Sequence, residues 1–410
     1  MEYTDQITTE TEKQENRIGK KILLVCCFLI AIALTACVAY AAAWSAARAK
    51  YNDTDEYFVE SMREIKEVIS RNYYYYDGDE KKLTDAALKG VAASTGDAYA
   101  EYYSEEEYAE LTKQNQRTFV GIGILTQINA DGEVEILDVY EDTPASEAGL
   151  RPGDILIEIN GTAHAGSTLS DFLSNVRAED GVSNTFVIRR GQETLTFDIV
   201  AREVHTPSVS YRMLTDTIGY IHVQTFHGTC VEETKNAMSE LRAKGMQKLV
   251  LDFRDNLGGS LYDAVNIADI FLPKDYVVTT LRSRNGDVIE YKTKQSGIDI
   301  RTVLLVNGYS ASASELVAGA FQDHEAAYLI GTKTYGKGIV QSFFEIEKTK
   351  GWIKITTDAY YTPNGVCVQD EGITPDLIVD LSEEAKKYSI DYIPFELDLQ
   401  LQAAINYLED

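Results

Sequence analysis

The residues best suited to chemistry lie where apolar runs break into turns of small side chains. Val303-Leu-Leu-Val-Asn-Gly-Tyr-Ser-Ala-Ser-Ala-Ser-Glu315 reads as a buried strand that passes through small residues into a helix. Small residues at such a turn let a substrate backbone come close. A serine at a helix amino terminus suits acyl transfer, because the unpaired N–H groups and the helix dipole both favour a developing oxyanion. For Ser312 the adjacent N–H of Ala313 is a natural donor. The same residues also fit a purely structural pattern, since Ser312 with Glu315 forms an S-x-x-E capping box.

A second strand-to-helix turn, Arg254-Asp-Asn-Leu-Gly-Gly259, follows the run KLVLDF. Gly258 and Gly259 permit the close approach of a second oxyanion donor, and by themselves equally fit an ordinary turn. A serine also needs a base. The five histidines, His164, His205, His222, His227 and His324, carry no marked triad signature, and no G-x-S-x-G elbow surrounds the serine.

Lys337 is the alternative base, set between Gly336 and Gly338 in Thr334-Tyr-Gly-Lys-Gly-Ile-Val-Gln341, directly after the apolar run AAYLIG. It serves only if its pKa falls. At an ordinary value of ~10.4 about one lysine in 2,500 is neutral at pH 7, and at ~8 about one in ten. Desolvation supplies that kind of shift. Gln341 points to the same side of an extended chain but ~13 Å away, so it reaches Lys337 only where the chain curves.

These turns need a framework. From about Ser208 the chain alternates IGYIHVQTF, a helix near 231–244, KLVLDF, a helix near 262–271, RTVLLVN, a helix from about Ser312, and AAYLIG. The alternation predicts an α/β layer with buried parallel strands. Residues 118–204 have another texture: short β-like runs (TFVGIGIL, GEVEILDVY, DILIEING, NTFVIRR, TLTFDIVA) with one helical stretch near 169–176, which predicts a compact, mostly-β module. Helical spacing marks the segment before it, as in Phe58, Met62, Ile65 and Ile69, and its tyrosines (Tyr73 to Tyr76, Tyr99, Tyr102, Tyr103, Tyr108) read as packing residues. Residues 383–410 read as a polar helical tail with leucines.

The net charge of −27, from 65 acidic and 38 basic residues, excludes a nucleic-acid partner. Residues 22–44 form an apolar run long enough to cross a bilayer, preceded by Lys13, Arg17, Lys20 and Lys21. That pattern predicts an uncleaved anchor with a short cytoplasmic tail, residues 1–21, and the rest of the chain outside. A cleaved signal peptide at Ala39-Tyr40-Ala41 and a lipoprotein signal at Cys37 are the rival readings, and export is common to all three. Cys230 and Cys367 are the remaining cysteines of the exported part, and they read as small buried hydrophobes rather than a disulfide framework.

In order along the chain, DAYAEYYSEEE, FVGIGI, GLRPGDILIEING, LDFRDNLGG, VNGYSASASELVAGAFQD, TYGKGIVQ and YYTPNGVCVQDEGITPD resemble the landmarks of the carboxy-terminal processing, or tail-specific, serine peptidases. The resemblance implies that Ser312, rather than Ser310 or Ser314, is the nucleophile, that Lys337 is the general base, and that Gln341 supports the lysine. It implies an α/β catalytic core related to the crotonase and ClpP folds, at 205–382, after a helical region at 45–117. The β module would be a PDZ domain whose Gly121, Ile122, Gly123 and Ile124 bind a substrate carboxy-terminus by strand addition and gate activity. Ala313, Gly258 and Gly259 would form the oxyanion hole. No metal or cofactor is expected, the partners are proteins or peptides with apolar carboxy-termini, and family analogy suggests a homodimer. Two departures stand out: Leu257 occupies a place where the family often has proline, and Val366-Cys367-Val368 replaces a usually more polar stretch.

Overall fold

The computed structural model describes residues 33–42, 56–129, 131–164, 166 and 168–410. The chain divides into two units, Met1–Ala87 and Leu88–Asp410. In the first, residues 33–42 and 56–72 are helical. The expected cytoplasmic tail and residues 22–32, 43 and 44 of the expected membrane segment lie outside the described residues. Among the described residues, no helix is long and apolar enough to cross a membrane. Tyr73 and Tyr74 each meet Tyr75 in a T-shaped contact, with centroids 6.1 and 4.9 Å away, and all three rings are exposed rather than packed in a core.

The second unit is built around a six-stranded sheet in the order Val209–Met213, Ile218–Val223, Lys248–Asp252, Arg301–Val306, Tyr328–Gly331, Leu377–Ile378. The first pair is antiparallel and the rest are parallel. Such strands are covered on both faces, which is why they read as unbroken apolar runs. Ile221, Val223, Leu249, Leu251, Leu304, Val306 and Leu329 meet the helices Cys230–Ala243, Leu261–Phe271 and Ala313–Asp323. The alternate residues, Ile218, Tyr220, Val250, Val303, Leu305 and Ile330, meet Leu401, Ala404 and Leu408 of the helix Leu399–Glu409.

A second, antiparallel sheet joins Glu101–Tyr103, Gly351–Tyr361, Val277–Ser283 and Val288–Lys292, with Ile339–Ile346 also pairing Gly351–Tyr361. The segment expected to be only helical before residue 118 therefore contributes a strand, Glu101–Tyr103, besides the helices Glu80–Ala93 and Glu105–Asn115. The tail departs from expectation too. Residues 383–398 form two single 3₁₀ turns, Ala385–Lys387 and Ile390–Tyr392, and only Leu399–Glu409 is an α-helix. Pro394 breaks a helical run at this point, and Asp398 caps the final helix by accepting the Leu401 N–H at 3.0 Å.

The β module has its own core of Ile122, Val134, Ile136, Ala145, Leu150, Leu156, Ile159, Phe172, Phe186, Ile188 and Ile199. Its sheet runs Ile124–Ile128, Val134–Val139, Ile155–Ile159, Ser183–Arg190, Glu193–Val200, with Thr162–Ala163 on the side. Entry and exit strands, Thr118–Gly121 and Arg202–His205, pair with each other.

Candidate active site

The strand Arg301–Val306 delivers the chain into the serine-rich turn, and there the three serines part company. Ser310 Oγ donates to the Phe253 carbonyl at 2.8 Å and Ser314 Oγ to the Asn256 carbonyl at 2.8 Å, both fully buried. Ser312 is half-buried and makes no ordinary side-chain cap to the helix it precedes. Its backbone lies at φ 56°, ψ −112°, a region costly for a side chain with a Cβ and the kind of strained strand-to-helix turn that exposes a nucleophile. An N-cap residue normally sits in the β region. The Glu315 N–H goes to the Ser312 carbonyl at 2.9 Å, and the carboxylate of Glu315 turns back to accept the Ser312 N–H at 2.8 Å.

That carboxylate is fully buried and does more than close a cap. Oε1 accepts the Thr334 hydroxyl at 2.6 Å and the Gly336 N–H at 2.7 Å, and Oε2 accepts the Lys337 N–H at 2.9 Å. Tyr360, itself buried, reaches from the second sheet with its hydroxyl 2.9 Å from the Ser312 carbonyl and 2.6 Å from that of Lys337. The serine turn and the lysine turn are thus clamped from two sides. Gly336 has φ +92°, and a Cβ on Gly338 would meet the Gln369 nitrogen at 2.4 Å, so glycines are required on both flanks of Lys337.

Lys337 is half-buried, and its Nζ lies over the ring of Tyr99, 4.3 Å from the centroid. Burial holds its pKa below the ordinary lysine value, the charge of Lys354 pushes the same way, and Glu315 pulls back. The Asp97 carboxylate fixes this corner by accepting the N–H groups of Tyr99 at 2.9 Å and Thr356 at 3.0 Å. Gln341 donates its side-chain amide to Thr356 Oγ1 at 3.2 Å, beside a register shift at Val340 and Gln341.

The Arg254–Gly259 turn lies against the serine. A Cβ on Gly258 would fall 2.7 Å from the Ala311 oxygen, 2.9 Å from Ser312 Cβ and 3.0 Å from the Ala313 nitrogen. Asn256 organises it: its side chain donates to the Val223 carbonyl at 2.6 Å and accepts the Gly258 N–H at 2.9 Å, while its carbonyl accepts the Ala311 N–H at 3.0 Å. Gly258's N–H is therefore committed. Phe226 bridges Gly259 in parallel fashion, its N–H on the Gly258 carbonyl at 3.0 Å and its carbonyl on the Ser260 N–H at 2.8 Å. That pattern turns the Gly259 N–H away from Phe226. Leu257, the departure from proline, is exposed.

Beneath the turn, Arg254 is fully buried, with its guanidinium on Asp252 at 2.7 Å, on Asp398 at 2.9 Å and on Gln400 at 3.0 Å. His324 sits at the far end of the 313–323 helix, with Nε2 2.8 Å from the Val277 carbonyl. Cys230 is buried, and burial pushes its thiol pKa up to about 12. In the β module, Gly121 ends a strand, Ile122 is buried, Gly123 has φ +83°, and Ile124 opens the edge strand of the sheet, on which Leu125 and Ile128 are exposed.

Fold and site together define an α/β core in which a serine turn and a lysine turn are joined by one buried carboxylate, carrying a separate β module. Residues 217–379 match peptidase family S41, and residues 135–190 match the PDZ domain. A probable CtpA-like serine protease of Staphylococcus aureus (strain N315) is 30% identical over 400 residues, 95% of this chain and 79% of that protein. Among solved structures, a putative S41 protease from Bacteroides fragilis NCTC 9343 is similar in fold, with TM-score 0.55 and 18% identity over 82% of this chain and 91% of that one. A photosystem II D1 C-terminal processing protease is similar at 25% identity and TM-score 0.46, over 77% and 86% of the respective chains. The chain belongs to peptidase family S41, the carboxy-terminal processing serine proteases, and carries a PDZ domain. Its substrates are accordingly peptides or proteins.

Proposed function

We propose that the chain hydrolyses amide bonds through an acyl-enzyme, with Ser312 as nucleophile and Lys337 as general base. The observation that carries this is the placement of Ser312: alone of its three neighbouring serines it keeps its hydroxyl off a main-chain carbonyl, and one buried carboxylate ties its turn to that of a desolvated lysine. Neutral Lys337 takes the hydroxyl proton as Oγ attacks the carbonyl carbon, and the resulting ammonium gives that proton to the leaving amine. Water then attacks the ester, with Lys337 again as base. The N–H groups of Ala313 and of the Gly258–Gly259 turn hold the oxyanion. Gly259 can donate as it stands, whereas Gly258 must first leave Asn256. Gln341 supports Lys337 through its amide oxygen, while its amide nitrogen donates to Thr356.

In the same reading, residues 118–204 are the PDZ domain and 205–382 a crotonase/ClpP-like core. Gly121 to Ile124 and the edge strand Ile124–Ile128 receive the apolar carboxy-terminus of a substrate and gate the cleft. Residues 22–44 anchor the chain in the cell membrane with the catalytic part outside, the tail 383–410 completes the core, and the assembly is a homodimer. A histidine-based hydrolase is disfavoured by the position of His324 at the wrong end of its helix.

Cleavage of an unfolded protein by wild type, Ser312→Ala, Lys337→Ala and His324→Ala tests this. Loss in the first two variants and retention in the third is expected, and full activity in Lys337→Ala would remove the dyad.

A further inference from the structure

His222 lies on the strand Ile218–Val223 and is 4% exposed. Two acceptors bracket its ring. Nδ1 is 2.9 Å from Asp391 Oδ1, and Nε2 is 3.1 Å from the main-chain carbonyl of Arg254. Asp391 also accepts the Ser210 hydroxyl at 2.8 Å and the Gln224 amide at 3.0 Å, so it sits among donors as a carboxylate. A neutral imidazole has one N–H and would set a ring lone pair against an oxygen at its other nitrogen. Only the doubly protonated ring satisfies both neighbours.

We propose that His222 is a buried imidazolium that pins the carbonyl of Arg254 to the carboxy-terminal segment and so positions the Arg254–Gly259 turn beneath Ser312. Asn256, two residues on, passes that placement to the serine turn through the Ala311 N–H and the Ser314 hydroxyl. The groups facing the ring are Asp391 from the carboxy-terminal segment, Asp252 from the adjacent strand and Arg254 from the turn, with Tyr220 on its own strand near both aspartates. Burial opposes the charge, but Asp391 and Asp252 outweigh it and the ring's pKa is raised. A raised folded pKa means that the bridge is complete below the unfolded value of ~6.5 and is lost as pH rises through the folded one.

The proposal rests on the Gly258–Gly259 turn as oxyanion support, and its test separates the two. In the full-length chain labelled with ¹⁵N-histidine, long-range ¹H–¹⁵N spectra read the charge of the ring without turnover, the signal being assigned by its absence in His222→Gln. Both ring nitrogens are expected to be protonated at pH 7, and a neutral ring there overturns the idea. The ratio of wild-type kcat to His222→Gln kcat should be about ten below the ring's titration and fall toward one above it, with KM within about twofold. The titration of Lys337 is common to both proteins and cancels. A ratio that stays flat across the titration overturns the proposal. Should His222→Gln not fold, Asp391→Asn must move the ring's titration to lower pH and kcat with it, and an unmoved profile is equally fatal. Full activity in Ser312→Ala would instead sink the dyad while leaving the ring's charge as measured.

Discussion

The main-chain N–H groups of Ser312 and Lys337 meet on a single oxygen atom, Oε2 of Glu315, at 2.8 and 2.9 Å. Nucleophile and base candidates are thus fixed relative to one another through their backbones. Read from sequence, Glu315 is half of a helix cap. In the fold it is the point where two turns are joined.

Glu315→Gln replaces one acceptor oxygen with an NH₂ that faces N–H donors. Hydrogen bonds to a charged group are worth about 1.5–3 kcal/mol, so unfolding free energy should fall by at least ~2 kcal/mol and kcat by ~100-fold. Urea unfolding and single-substrate kinetics measure the two, and unchanged values would show the carboxylate to be idle.

Lys354 is held by Glu101 at 3.1 Å and by the Tyr103 hydroxyl at 2.8 Å, and its charge lowers the pKa of Lys337. Lys354→Gln removes that charge. The Lys337 pKa then rises, the neutral fraction at neutral pH falls, and the acid limb of the kcat profile moves to higher pH. A profile at low ionic strength decides, and a limb moving to lower pH refutes the coupling.

Gly258→Ala puts a methyl 2.9 Å from Ser312 Cβ at a φ of +103°. Displacement of the turn should reduce kcat by ~100-fold or more, with stability lower by ~1–3 kcal/mol. Retained kcat would show that the turn does not support the oxyanion.

Arg254→Met strands Asp252 and Asp398 in the interior without their cation. Breaking a buried ion pair costs about 3–5 kcal/mol, visible in the urea midpoint. A loss below 1 kcal/mol would mean that water reaches the cluster.

Much of this was legible in the chain. The apolar runs at 249–251 and 303–306 became central parallel strands, and the turns after them became the candidate site, because strand-to-helix turns at the ends of parallel strands have few conformations to choose from. Other parts were hidden for physical reasons. Tyr99 reaches Lys337 from a turn before the strand Glu101–Tyr103, Tyr360 reaches both turns from the strand Gly351–Tyr361, and no local pattern announces such a meeting. The tail 383–398 looked helical from its composition, yet Asp391 and Asp398 are committed to His222 and Arg254, and that tethering, with Pro394, overrides propensity. The pairing of Gln341 with Thr356 comes from a register shift in its strand, which no local pattern signals.

The pairing of Thr118–Gly121 with Arg202–His205 has a bearing on chain topology. Adjacent strands are ~4.8 Å apart, so the core meets the whole PDZ module as though it were the two ends of one hairpin. A module attached in this way is a cassette: it can be enlarged, exchanged for another small domain or cut back to a short turn without shifting the register of any strand of the core sheets. The module and the peptidase core can then diverge independently, each with its own hydrophobic core to preserve.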